Sequence, residues 1–343
     1  MPNPTVPNPP VPNPTVPNPP VPNPTVPNPT VLTATVPGDD LLARLADLAD
    51  AHADDLRLVR WDLSGPLDAD TAAQVDLVVV PHYFVRPGGF DVLRDLPRLG
   101  YVQLPSAGYE HALPHLPPGV VLCNGRGVHD AGTAELAVGL TLAVQRELPR
   151  AVRAMGEGRW DNPFGRSLAD RRVLVVGQGS VGRAIVARFR PFEVELVRVA
   201  STARDDADGH VHGVDELPGL LPDADVVVLA IPLTRASYHL VDAAALARMK
   251  DGALLVNVAR GKVVDTDALL AELGTGRLRA ALDVTDPEPL PADHPLWHAP
   301  NVLVTAHQGG NTDATFPRIA ALVRRQLTAL LAGDPPVNEV ART

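Results

Sequence analysis

The chain has 343 residues, more than one compact domain usually holds, so two domains are expected. Hydrophobic residues make up 45% and charged residues 20%, a globular profile, and a formal net charge of −10 argues against a nucleic-acid surface, which is normally basic. A single cysteine, Cys123, leaves no disulfide framework and no cysteine-based zinc site. No apolar run reaches the roughly 18 residues needed to span a bilayer, and the start lacks the basic and apolar regions of a signal peptide. A soluble, cytoplasmic protein is expected, with no membrane or nucleic-acid partner and no metal site.

Residues 1–30, MPNPTVPNPPVPNPTVPNPPVPNPTVPNPT, form a near-perfect ten-residue repeat. Proline fixes φ and removes amide donors, so this Pro/Asn-rich arm is expected to be extended or disordered and dispensable. The competing reading is a docking segment for a proline-recognising partner. Folded sequence is expected from about Val31.

From 31 to 122, helical spacing in DDLLARLADLAD (39–50) and buried-strand runs in DLRLVRW (55–61) and VDLVVVP (75–81) predict an α/β domain with a parallel sheet. AELAVGLTLAVQRELPRAV (134–152) reads as one long apolar helix opened by Thr133 as N-cap. Within 123–309, the strands RRVLVVG, VELVRVA, DVVVLAI, ALLVNVA, AALDV and NVLVTAH alternate with helical segments, as in a doubly wound sheet. The last helical segment, IAALVRRQLTALLAG (319–333), belongs to no further strand–helix–strand unit. Residues 310–343 are therefore expected to return to the first domain and make it discontinuous.

GQGSVG (177–182) directly follows a strand and opens a helix, the context that the GxGxxG motif requires. Gly177 permits the tight turn, Gly179 lets the backbone approach a pyrophosphate, and Gly182 lets the helix pack on the strand. The pyrophosphate would sit on the amides around Ser180 and Val181.

Three further strand ends carry polar side chains. NVARG places Arg260 at the end of an apolar strand, LDVTDPEPLP carries Asp283 and Glu288, and VLVTAHQGG carries His307. In such sheets ligands bind at the carboxyl ends of the strands. A guanidinium fork suits a carboxylate, an imidazole suits removal or return of a hydroxyl proton, and a glutamate can hold that imidazole in one tautomer. The set suits hydride transfer at a hydroxyl carbon.

The spacing NVARG…LDVTDPEP…TAHQGG, with SAGYEH (106–111) and CNGRGVHDAGTAELAVGLTL (123–142) upstream, is similar to the D-isomer-specific 2-hydroxyacid dehydrogenase family over nearly everything from residue 31 onward. The resemblance implies two Rossmann-like doubly wound parallel-sheet α/β domains. The substrate domain, 31–122 and 310–343, is discontinuous, and 123–309 binds NAD or NADP. It implies a catalytic trio of Arg260, Glu288 and His307 acting on a small 2-oxo or 2-hydroxy acid. Backbone amides of Ser106, Ala107 and Gly108 would bind the substrate carboxylate, Asp283 would meet the nicotinamide carboxamide, and Val258 and Ala259 would line the cofactor. It implies a homodimer with contacts through the helix at 134–152. TAH stands where TPH is usual, and Gln308 follows the histidine where an apolar residue is frequent, which bears on the shape of the pocket.

Glu288 argues against formate oxidation, which resembles a version with glutamine there; phosphite oxidation and a nicotinamide-sensing corepressor both keep the trio and stay open. No C-terminal regulatory domain is expected. Among substrates, reduction of glyoxylate or hydroxypyruvate is favoured. Tyr83, Phe84 and Tyr109 are candidate pocket side chains, and Trp297 is read as packing. An NAD-preferring site carries an acid about 20 residues past the first glycine, at the end of the second strand. Here that strand ends at Ala200 and is followed by Ser201, Thr202, Ala203 and Arg204, with Asp205 and Asp206 beyond. Ser201, Thr202 and Arg204 could bind a 2′-phosphate, with Arg198 as a further candidate, so NADP is favoured over NAD.

Overall fold

The computed structural model describes residues 31–82 and 88–343; the expectations for the arm 1–30 and for Tyr83 and Phe84 fall outside the described residues. The described chain divides into two compact α/β units, one contiguous (133–309) and one built from 31–132 and 310–343. Strands are numbered along the chain.

In the discontinuous unit, β1 (Leu32–Val36), β2 (Leu56–Arg60), β3 (Leu77–Val79), β4 (Tyr101–Gln103) and β5 (Val121–Cys123) pair in parallel in the order β5-β4-β3-β1-β2. β1 (LTATV) is buried at all five positions, as a strand flanked on both sides in a covered parallel sheet must be. The C-terminal helix Thr315–Leu331 explains the return of the chain. Its Ile319, Leu322, Val323, Leu327 and Leu330 recur at helical spacing and pack with Leu41, Leu45 and Leu48 of the helix Asp39–Ala51 in one core. Each such side chain contributes about 1.5–3 kcal/mol by leaving water. Arg324 fastens the same two helices at the surface through Asp47.

In the contiguous unit, β6 (Arg172–Val176), β7 (Glu195–Ala200), β8 (Arg204–Asp206), β9 (Gly209–Gly213), β10 (Val226–Leu229), β11 (Leu254–Asn257), β12 (Arg279–Leu282) and β13 (Val302–Val304) lie in the order β13-β12-β11-β10-β6-β7-β9-β8. All pair in parallel except the β8–β9 hairpin at the edge. The order reverses at β6, the switch point of a doubly wound sheet. Its two faces are covered by separate cores, one around Leu229, Leu255 and Leu246, the other around Phe189, Ile185 and Val228. No helix among the described residues is long and apolar enough to cross a membrane.

The fold departs from the sequence reading at several points. The first unit runs on to Gly132 instead of stopping at Leu122, because β5 pairs with β4 and the amide of Gly125 donates to the carbonyl of Ser106 at 2.6 Å. The expected single helix over 134–152 is two, Asp130–Gln145 and Leu148–Gly156, with the chain turning at Glu147 (φ 55°). Pro149, lacking an amide hydrogen, fits the first turn of a helix but not its interior. Thr133 therefore lies inside the first helix and is not its N-cap. A last strand, β14 (Glu339–Arg342), not expected from sequence, adds antiparallel to β5 and closes that edge of the sheet. Trp297 is not a packing residue: it is 45% exposed and donates its indole N–H to the carbonyl of Pro291.

Candidate active site

The switch point positions the first half of the site. Gly177 ends β6 with φ 114°, and the helix Ser180–Phe189 starts immediately after Gly179. A Cβ at Gly182 would lie 1.8 Å from the carbonyl oxygen of Gly177, so only glycine lets this helix start against the strand end. A cavity of about 420 Å³ opens here, lined by Gly177, Gly179, Ser201, Arg204, Thr234 and Ser237 among others. Its wall holds a glycine-lined turn and a helix N-terminus, whose amides and dipole suit a phosphate. The residues present fit a dinucleotide.

At the rim of this cavity the end of β7 carries no acid. Ser201, Thr202 and Arg204 are exposed, and Arg204 donates to the carbonyl of Thr202. Both nearby acids are tied up inside the β8–β9 hairpin, Asp205 with His210 and Asp206 with Arg198. Arg198 is therefore removed from the list of phosphate ligands. It is 7% exposed and grips Asp206 with two bonds of 2.9 Å, which hold the Asp206 carboxyl below its ordinary range.

The ends of β11, β12 and β13, three neighbours in the sheet, carry the second half. The turn after β11 is set by Asn257, whose amide donates to the carbonyl of Arg260 and whose oxygen accepts from the amide of Ala259. Val258 and Ala259 are buried, and Arg260 is half-buried with its guanidinium on the carbonyl of Ala259. The glycine after the arginine allows a close approach: a Cβ on Gly261 would lie 1.8 Å from the carbonyl oxygen of Thr285, on the segment that leads to Glu288.

Asp283, 2% exposed, ends β12 and organises the loop after β13. Its Oδ1 accepts from the hydroxyl of Thr305 (2.7 Å) and the amide of Gln308 (2.8 Å), and its Oδ2 accepts from the amide of Gly309 (3.0 Å). The amide of His307 donates to the carbonyl of the same aspartate at 2.7 Å. These bonds hold His307 at φ 48°, a left-handed conformation that a residue with a side chain adopts only at a cost. His307 Nδ1 then meets Glu288 Oε1 at 2.5 Å. Burial works to raise the Glu288 carboxyl, but the hydrogen bond and charge of His307, a backbone bond from Thr285 and the charge of Arg260 together hold it below its ordinary value. Within this unit, then, the three expected residues lie on neighbouring strand ends, His307 and Glu288 in direct contact and Arg260 within electrostatic reach. Asn257 and Thr305 were missed from sequence; both are short polar side chains at strand ends, the one signal that could have marked them.

In the discontinuous unit, Ser106, Ala107 and Gly108 form a loop whose three carbonyls all turn inward. They accept from the amide of Gly125 (2.6 Å), the side-chain amide of Asn124 (2.8 Å) and the hydroxyl of Ser106 (2.7 Å), respectively. In a planar trans peptide the N–H opposes the C=O, so the amides of Ala107 and Gly108 point away from Gly125 and Asn124. Tyr109 is partly buried against the core of its own unit.

A profile of the D-isomer specific 2-hydroxyacid dehydrogenase NAD binding domain matches residues 138–309. A glyoxylate reductase of Thermofilum pendens is 35% identical over 257 residues, covering 72% of this chain and 76% of that protein. The human glyoxylate reductase/hydroxypyruvate reductase is 36% identical over 218 residues, covering 61% and 66%. Among solved structures, a D-isomer specific 2-hydroxyacid dehydrogenase family protein of Aeromonas salmonicida superposes with a TM-score of 0.78 at 28% identity, covering 90% of this chain and 99% of that one. A D-isomer specific 2-hydroxyacid dehydrogenase of Xanthobacter autotrophicus, solved with NADPH and MES, gives 0.74 at 29%, covering 91% and 98%. The chain belongs to the D-isomer-specific 2-hydroxyacid dehydrogenase family. Its activity is that of an NAD(P)-dependent D-2-hydroxyacid dehydrogenase.

The contact at Gly261 gives a test of how tightly the strand ends are registered. Gly261→Ala forces the backbone between Arg260 and Thr285 apart. It is expected to lower kcat/KM about 100-fold, the cost of misplacing reacting groups by about an ångström, while coenzyme affinity read by fluorescence titration changes little. Unchanged turnover would show that this contact does not position the site.

Proposed function

We propose that the protein reduces a small 2-oxo acid, with glyoxylate and hydroxypyruvate favoured, to the D-2-hydroxy acid, using NADPH in preference to NADH. The observation that carries the reading is the Glu288–His307 pair at 2.5 Å, on a strand end beside that of Arg260. The names of the relatives, glyoxylate reductase in Thermofilum pendens and glyoxylate/hydroxypyruvate reductase in human, support the substrate class.

A bound coenzyme would supply the hydride. Gly177, Gly179, Ser180, Val181 and Gly182 would hold its pyrophosphate, Val258 and Ala259 would line it, and Asp283 would meet its carboxamide with the acceptor capacity its loop bonds leave. Arg260 pairs with the substrate carboxylate and polarises the adjacent carbonyl. His307 gives a proton from Nε2 to the carbonyl oxygen, while Nδ1 stays on Glu288, which fixes the tautomer and stabilises the imidazolium. The amides of Ala107 and Gly108, turned away from the bonds that hold the loop, support with Ser106 the assignment of that loop to the substrate carboxylate. A lone buried cysteine, Cys123, accords with a reducing, cytoplasmic location.

Arg260→Ala is expected to cost about 100-fold or more in kcat/KM, on the order of 3 kcal/mol, and Arg260→Lys to recover only part, since a point charge lacks the planar fork. Near-normal turnover in a folded alanine variant would remove Arg260 from the mechanism. The wild-type assay uses glyoxylate, hydroxypyruvate, pyruvate and phosphite: turnover of phosphite alone, or of none, would replace the 2-oxo acid reading by phosphite oxidation or by a coenzyme-sensing role.

Glu288→Gln is expected to lower kcat/KM, because a neutral amide fixes the imidazole less firmly and stabilises its cation less than a carboxylate does. An unchanged kcat/KM in a folded variant would separate the pair's contact from its function.

The exposed Ser201, Thr202 and Arg204, with Asp205 and Asp206 already paired to His210 and Arg198, support NADP. Wild-type kcat/KM is expected to favour NADPH, and Arg204→Ala to lose that preference through a higher KM for NADPH alone. A wild-type preference for NADH of about tenfold, near 1.4 kcal/mol, would overturn the assignment.

A homodimer is supported by an apolar patch on the contiguous unit. Leu148, Val152 and Met155 on the helix Leu148–Gly156 are exposed, and Trp160 and Phe164 just beyond it are 97% and 106% exposed. Apolar exposure on this scale marks an interaction surface. In sedimentation the wild type is expected to run as a dimer and Trp160→Ser/Phe164→Ser as a monomer; a monomeric wild type would contradict the reading.

A further inference from the structure

The β8–β9 hairpin and the turn after it hold a group of side chains that the dehydrogenase reaction does not use. His210 and His212 are two residues apart on β9, so strand alternation puts both imidazoles on one face. Their rings meet edge-on with centroids 4.6 Å apart. Glu216 ends the short helical turn Val214–Glu216 that follows and returns its carboxylate to the same place. One ligand atom from each of His210, His212 and Glu216 lies within 4.8 Å of the others.

Each of these groups is already oriented. Antiparallel register sets Asp205 opposite His210, and its Oδ1 lies 2.8 Å from His210 Nδ1. Glu216 Oε2 lies 2.7 Å from His212 Nδ1, while its Oε1 accepts from the amide of Gly213 at 2.8 Å. The far end of the hairpin is fastened to β7 by the buried Arg198, through Asp206 and the carbonyl of His210. A carboxylate on one ring nitrogen is the arrangement that turns the other nitrogen of a neutral imidazole toward a metal and raises its basicity.

We propose that this hairpin binds a divalent first-row transition-metal ion, held by His210, His212 and Glu216, with Asp205 orienting the His210 ring. Two imidazoles with a carboxylate select zinc, nickel or copper over magnesium or calcium, which prefer all-oxygen sets. Three protein ligands leave a position for water. His210 ligates through Nε2, with its Nδ1–H retained on Asp205. The three ligands lie within seven residues of sequence, but the hairpin that orients them was not expected, so the sequence reading passed them over. The site also touches the coenzyme cavity by continuity of chain: Arg204 opens β8, Val214 follows β9, and both line that cavity.

The test uses the full-length chain without an affinity tag, dialysed against chelator, and titrated calorimetrically with Ni²⁺ and with Zn²⁺. One saturable ion per chain is expected. Cu²⁺ loaded at the same stoichiometry is expected to give an electron paramagnetic resonance spectrum split by two imidazole nitrogens. The double variant His210→Ala/His212→Ala is expected to bind roughly tenfold or more weakly, with Glu216→Gln in between. Circular dichroism and turnover with glyoxylate verify that each variant is folded, and the single exposed change His210→Asn replaces the double variant if that fails. Absence of saturable binding, binding undiminished in the histidine variants, or a copper spectrum without two imidazole nitrogens would each overturn the proposal.

Discussion

The carboxylate of Asp283 is the constraint on which the placement of His307 depends. It is buried at the end of β12 and takes bonds from Thr305, Gln308 and Gly309, while its backbone carbonyl takes the amide of His307. A buried carboxylate stripped of such donors would carry a desolvation cost of several kcal/mol, so the loop and the carboxylate stabilise each other. The result is a histidine in a left-handed conformation, aimed at Glu288, in a place where backbone preference alone would not put it. Local strain is held in place by a buried electrostatic anchor rather than by the residue's own propensity.

Two arginines, one inside a strand and one just past a strand end, show how differently one residue type can be used. Arg198 is buried in β7 and spends its fork on Asp206, which makes it part of the hairpin's framework. Arg260 follows β11 and stays half-buried, and among the described residues its guanidinium donates to its neighbour's carbonyl. Its charge lowers the carboxyl of Glu288, with no ion pair between the two among the described residues. A guanidinium already closed on a carboxylate cannot bind another anion at little cost; one resting on a carbonyl can.

Legibility in the sequence followed the range of the interactions involved. The glycine-rich turn was readable because GQGSVG is contiguous and the strand before it and helix after it are both local signals. The strand ends bearing Arg260, Glu288 and His307 were readable because parallel strands buried on both faces appear as unbroken apolar runs, so a charge at the end of one stands out. Arg198 was misread for the opposite reason. Whether a residue inside a strand faces solvent or a salt-bridge partner depends on the hairpin eight residues further on, and ARDDADGHVHG lacks apolar alternation to announce that hairpin. The break at Glu147 was hidden by the run of helix formers around it, although Pro149 marked it. The short strand β14 owes its pairing to the exposed edge of β5, a partner more than 200 residues away in sequence.

The discontinuity of the first unit has a bearing on how the chain is made. Residues 133–309 contain every strand of their own sheet, so that unit can assemble while the ribosome is still adding the remainder. The other unit begins to emerge before that one and is finished after it. Until the helix Thr315–Leu331 arrives, Leu41, Leu45 and Leu48 lack much of their covering layer, and until Glu339–Arg342 arrives, β5 is an open strand edge. Open edges and uncovered apolar faces are the surfaces on which nascent chains pair with one another. The half-built amino-terminal sheet is thus the part of this protein most exposed to mispairing during synthesis, and the burden of ending that exposure falls on its last thirty residues or so.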